Sequence, residues 1–162
     1  MLRFLGNLPL HSDEPLTVES LPLHPLVVHA VVVLVPLAAL GTILMVIWPR
    51  FSRRFGVLVI LVGVVAAASA WLARVTGEQL DETHEAGQVH MELGFQMPWW
   101  ASAFSLGSLA FWALDRRLAP GARRPLGLKV VALIALALAF AALYFIFLTG
   151  DSGARAVWGA NG

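Results

Sequence analysis

Four histidines fall in two short stretches, His24 and His29 in LHPLVVHA and His84 and His90 in THEAGQVHMELG, and carboxylates crowd the second. Imidazole nitrogens ligate haem iron, and together with carboxylate oxygens they hold Zn or Cu. HEAGQVH is not the zinc-protease H-E-x-x-H, because His84 and His90 stand six positions apart rather than four. That spacing separates them by roughly 120° around a helix. His24 and His29 are likewise separated by roughly 140°. Neither pair can chelate one ion from a single helical face, so a site must take one histidine from each element. Two facing imidazoles in a bundle suit a bis-histidine b-type haem.

On this reading His29 and His90 are the axial ligands, and His24 is the substitute for His29. If the bound group is Zn or Cu instead, His24, His84 and Glu92 join His29 and His90 as candidate ligands. Arg74 is a cation placed to hold an anionic group such as a haem propionate; otherwise it pairs with Glu78 or Asp151. The plainer alternative is a neutral imidazole bonded to a carbonyl or a glutamate, beside an acidic loop that is simply solvated. Other chemistries lack their residues. With no cysteine there is no disulfide, thiolate metal site, iron–sulfur cluster or c-type haem attachment. There is no Walker loop, no G-x-S-x-G and no dinucleotide fingerprint, so no catalytic residue is assigned and an enzyme is disfavoured. No acid lies deep in an apolar run, which argues against an ion pump. A net charge of +1 gives no sign of nucleic acid as a partner.

The elements that must carry these residues are membrane helices. Of the 162 residues, 59% are hydrophobic and 13% charged, against about 25% charged in soluble domains. Four stretches approach the roughly 20 apolar residues that a span requires: about 26–48, 57–75, 97–114 and 128–149. Four such helices cannot all be buried in a soluble chain this small. The expected fold is all-α, a four-helix transmembrane bundle with short outer helical extensions. Residues 1–23 form an extracytoplasmic N-terminal segment and 24–162 the bundle. The N-terminal segment lacks a continuous apolar stretch, so the first span is expected to direct insertion.

Charge orients the bundle. The segments PRFSRRFG and DRRLAPGARRPLGLK carry eight of the eleven basic residues, with Asp115 their lone acid. The positive-inside rule makes both cytoplasmic, leaving both termini outside the plasma membrane. Nine of ten acids and all five histidines then fall outside or at the adjoining helix ends. Trp48 and Trp112 mark the inner interface, and Trp71, Trp99, Trp100 and Trp158 the outer one.

Depth tests the histidine pairing. His29 stands 19 residues above Trp48, about 29 Å of helix. His90 stands 25 residues above Asp115, about 37 Å. His24, 24 residues above Trp48, matches His90 better at about 36 Å. Pro36 is a candidate kink, Gly150 a C-cap for the fourth helix, and Asp151 or Ser152 the cap of a short terminal helix. Gly63, Ala67, Ser102 and Gly107 offer small surfaces for helix packing. No convincing internal repeat is visible.

LPLHPLVVHAVVVLVPLAAL at the first helix, HMELG leading into PWWASAF at the third, and the closing LTGDSGARAVWG resemble a bacterial membrane family known as domain of unknown function number 2231. The basic loops and the order of segments look like its actinobacterial members. The resemblance covers nearly the whole chain after Thr17. It implies a four-helix membrane protein, with His24, His29, His90, Glu92, Gly94, Asp151 and Gly153 as functional or structural positions, and carries no established activity. His84 fits the pattern less clearly. Some relatives look like partners of respiratory and redox proteins, which favours haem. Three functions remain open: a b-type haem protein in electron transfer, a non-catalytic subunit or assembly factor of a respiratory membrane complex, and an outer-face Zn- or Cu-binding protein. Its partners would be the lipid bilayer, other redox-complex subunits or a second copy of the chain.

Overall fold

A computed structural model describes residues 17–18, 21–81 and 88–158. Four helices follow one another: α1 (Leu23–Ile47), α2 (Pro49–Asp81), α3 (Gln88–Arg116) and α4 (Leu126–Trp158). Ahead of α1, β1 (Thr17–Val18) pairs antiparallel with β2 (Leu21–Pro22) over two residues each. The helices make two antiparallel hairpins, α1 with α2 and α3 with α4, which meet chiefly along α2 and α3.

The helices outrun the apolar stretches that announce them. Segment PRFSRRFG is not a loop: Trp48 alone separates α1 from α2, and Pro49 opens α2 where its missing amide costs nothing. At the other end α2 continues through Gly77 and Glu78 to Asp81, and α3 already begins at Gln88. Helix α4 runs through Gly150 to Trp158. Gly150 therefore does not cap it, and Asp151 and Ser152 lie within it rather than starting a new helix. Asp151 instead bonds Arg155 one turn on, at 2.9 Å. At 33 residues α2 and α4 are about 50 Å long, well beyond the roughly 30 Å hydrocarbon layer. Helix α1 passes through Pro36, and α3 through Pro98, without a break in either element.

Among the described residues three helices, α1, α2 and α4, are long and apolar enough to cross a membrane. Their exposed faces carry Leu26, Val33, Leu37, Leu61, Leu133, Phe140 and Phe147, as suits lipid rather than water. Helix α3, expected to span at 97–114, is more polar, and its serines point inward. Ser102 accepts from the Trp71 indole at 3.1 Å, Ser105 donates to the Gly63 carbonyl at 2.8 Å, and Ser108 bonds Thr42 at 3.0 Å. Small residues fill the seams, among them Ala38, Ala66, Ala101, Ala139 and Ala142, and let the backbones approach.

The two hairpins repeat one pattern, which the sequence conceals. The buried positions of α1 recur in α3 at a constant 66 residues: Val31 with Met97, Val35 with Ala101, Ala38 with Phe104, Thr42 with Ser108 and Met45 with Phe111. Those of α2 recur in α4 at 76 residues: Gly56 with Ala132, Val59 with Ala135, Gly63 with Ala139 and Ala66 with Ala142. Gly41 faces Val59 in the first hairpin as Gly107 faces Ala135 in the second.

At the arginine-rich end the repeat breaks. Asp115, 4% exposed, accepts from Arg124 Nε at 2.9 Å and Nη2 at 3.1 Å, and from the Ser52 hydroxyl at 2.6 Å. Arg124 also donates to the Met45 carbonyl at 2.9 Å and to that of Val46, closing the C-terminus of α1. One buried ion pair so ties α1, α2, α3 and the α3–α4 connection together. Replacing Asp115 with Ala strands the Arg124 charge and should destabilise the bundle by about 3 kcal/mol. Adding Arg124→Met should restore part of that loss. Unfolding midpoints of the two variants in detergent check the order.

Candidate functional site

At the opposite end each hairpin holds one histidine against its own second helix. His24, on the first turn of α1, places Nδ1 3.0 Å from the Ala73 carbonyl and 3.1 Å from the Thr76 hydroxyl of α2. His90, near the start of α3, places Nδ1 3.0 Å from the Thr149 carbonyl and 3.2 Å from the Ser152 hydroxyl of α4. A carbonyl oxygen has no proton to give, so Nδ1 is the donor in both. The neutral rings are therefore Nδ1–H tautomers, each with its lone pair at Nε2.

The hydroxyls are themselves fixed by their helix. Thr76 donates back to the carbonyls of Leu72 at 2.9 Å and Ala73 at 3.1 Å, and Ser152 to that of Thr149 at 2.9 Å. Each ring then lies over a glycine. A Cβ added at Gly77 would meet the His24 Cε1 at 3.1 Å, and one added at Gly153 would meet the His90 Cε1 at 2.9 Å. The glycines are clearance for the imidazoles.

His29 is placed otherwise. It is exposed, and its Nδ1 bonds the Pro25 carbonyl of its own helix at 2.5 Å. His24 and His90 are each held by the second helix of their own hairpin, whereas His29 is held by its own helix. Glu92 is exposed. His84 lies outside the described residues. Arg74 pairs with Glu78 at 3.0 Å, with its guanidinium 5.7 Å from the Trp71 ring and 5.0 Å from the Phe95 ring. Among the described residues no three His, Asp or Glu side chains form a group that could hold a metal ion.

Sequence reasoning missed Thr76, Gly77 and Ser152. Their signal is a hydroxyl residue followed by glycine at the histidine end of each second helix, Thr76-Gly77 and Ser152-Gly153. It emerges only once the hairpins are superposed in register.

A family model described as a predicted membrane protein, DUF2231, matches residues 20–161. The chain belongs to this family. No curated protein and no solved structure matches it. The match begins just before the His24 helix and reaches past Ser152 and Gly153, so both histidine latches lie inside the family's domain.

Each latch joins the two helices of one hairpin through a net hydrogen bond of about 1 kcal/mol. His24→Ala and His90→Ala should each lower stability by roughly that amount or somewhat more, because a half-buried carbonyl loses a donor. His29→Ala should change it by less than about 0.5 kcal/mol. Thermal unfolding of the three variants in one detergent separates them.

Proposed function

We propose that the chain is a multi-pass plasma-membrane protein that binds a cofactor through His24 and His90, most concretely a b-type haem in electron transfer at the extracytoplasmic face. The observation that supports this is the matched state of the two imidazoles. Each is locked through Nδ1 to a backbone carbonyl, which fixes the tautomer and leaves Nε2 as the ligating nitrogen. Histidines that serve only as helix latches do not need to share one tautomer across two hairpins.

If haem is bound there, His24 and His90 would hold it, and it would supply one-electron chemistry. The chain itself orients the imidazoles through Thr76 and Ser152. The aromatic pairs Trp71–Trp99 and Trp100–Phe145, whose ring centroids are 4.9 and 4.7 Å apart, lie within about one helical turn of Ala73 and Thr149 along α2 and α4. The test is a reduced-minus-oxidised visible spectrum of protein purified from haem-replete cells. Sharp α and β bands that vanish in His24→Ala and in His90→Ala, but persist in His29→Ala, are expected. A flat spectrum from well-folded protein sinks the haem reading. Zn or Cu retained by such colourless protein would make it a metal-binding protein, and larger co-purifying partners would make it a subunit of a membrane complex.

The orientation we propose places the arginine-rich end in the cytoplasm and both termini outside. Arg50, Arg53, Arg54, Arg116, Arg117 and Arg123 gather where α1 meets α2 and where α3 meets α4, and positive charge is retained on the cytoplasmic side. The chain has no cysteine, so single cysteines report without background. Arg117→Cys should react with an impermeant maleimide only after the cells are opened, and Glu92→Cys in intact cells. The reverse pattern would invert the protein.

A further inference from the structure

The repeat in the core and the two latches describe one object. His24 and His90 differ by the same 66 residues that relate the cores of α1 and α3. Ala73 and Thr149, Thr76 and Ser152, and Gly77 and Gly153 differ by the same 76 that relate α2 and α4. Even the internal bonds recur: Thr76 returns its proton to the carbonyl three residues back, and so does Ser152. Two hairpins entering from the same side are related by a pseudo-twofold axis along the bundle.

The axis can be located. In a twofold arrangement, equivalent residues touch each other only where the axis passes between them. Thr42 and Ser108 are equivalent, and their hydroxyls lie 3.0 Å apart in the buried centre. The axis therefore runs between α1 and α3, and one end of it emerges between His24 and His90.

We propose that His24 with Thr76 and Gly77, and His90 with Ser152 and Gly153, are two copies of one half-site that grip a single metal centre on the pseudo-twofold axis by two opposed coordination positions. Thr76 and Ser152 are the matched positioning residues: they touch the imidazoles and not the ligand. A centre with two equivalent faces, such as the iron of a planar macrocycle, fits this arrangement. A centre requiring three or four convergent protein ligands does not. This rests on the cofactor reading for the nature of the ligand, but the equivalence of the half-sites stands on the geometry alone.

The experiment uses the full chain in detergent, with ¹⁵N-labelled histidine, first without any added group. Both His24 and His90 are expected as Nδ1–H tautomers. Thr76→Val should shift the His24 signals and Ser152→Ala those of His90 to a similar extent, while Thr76→Ser and Ser152→Thr leave both in place. Opposite tautomers, or a response in one ring only, would overturn the matched half-sites. Haemin is then titrated into the same samples. Thr76→Val and Ser152→Ala should each weaken its binding about tenfold or more, and by similar factors. Haemin that fails to bind the unsubstituted chain overturns the haem reading and the ligand named here, whereas the paired tautomers separately decide whether the half-sites match.

Discussion

Inside a bilayer no water answers an unpaired N–H, O–H or carboxylate, so every polar atom carried into the bundle must find its partner in the chain itself. This constraint organises the whole structure. Helix α3 brings Ser102, Ser105, Ser108 and Asp115 inward, and each meets a group from α1 or α2. The helix least able to sit alone in lipid is thus tied to its neighbours by four side-chain hydrogen bonds. Burial of apolar side chains adds little net drive here, because lipid tails are as apolar as leucine. The polar pairs supply register, and the small residues around them let the helices come close enough for those pairs to form.

The two ends of the bundle use this constraint differently. At the arginine-rich end an asymmetric cluster, Asp115 with Arg124 and Ser52, joins three helices and the α3–α4 connection at once. Losing Asp115 or Arg124 leaves the other charge without its partner, so the cluster acts as a lock. At the histidine end the bonds are symmetric and weaker, one imidazole per hairpin. Nε2 of each ring stays out of the latch. A rigid end and a symmetric, lightly tied end place structural cost far from the residues available for chemistry.

Much of the architecture is legible in the sequence. Apolar runs of near-spanning length, two arginine-rich turns and tryptophans near the expected interfaces give the helices and their order. The boundaries are less legible, because hydropathy marks where lipid begins rather than where a helix ends. Arg50 to Arg54 and Thr76 to Asp81 are polar, yet they are helical turns of α2 beyond the apolar run. Gly150 and Gly153 suggest a stop by propensity, but packing of His90 against Gly153 rewards a helix that continues. The repeat was hidden for a simple reason. Equivalent positions keep their burial and not their identity, as when Ala38 corresponds to Phe104 or Gly56 to Ala132.

The site follows the same logic. His29 attracts attention in the sequence because it interrupts an apolar run, where an ionisable group is expensive. The helix answers that expense locally, through the Pro25 carbonyl one turn back. A group satisfied by its own helix places no constraint on the rest of the bundle. His24 and His90 are satisfied only across a hairpin, by carbonyls of a second helix whose hydroxyl and glycine are spaced to receive an imidazole. Side chains that depend on tertiary contacts are held in one orientation, and ligation depends on orientation. The histidine that is harder to notice in the sequence is therefore the better placed to serve.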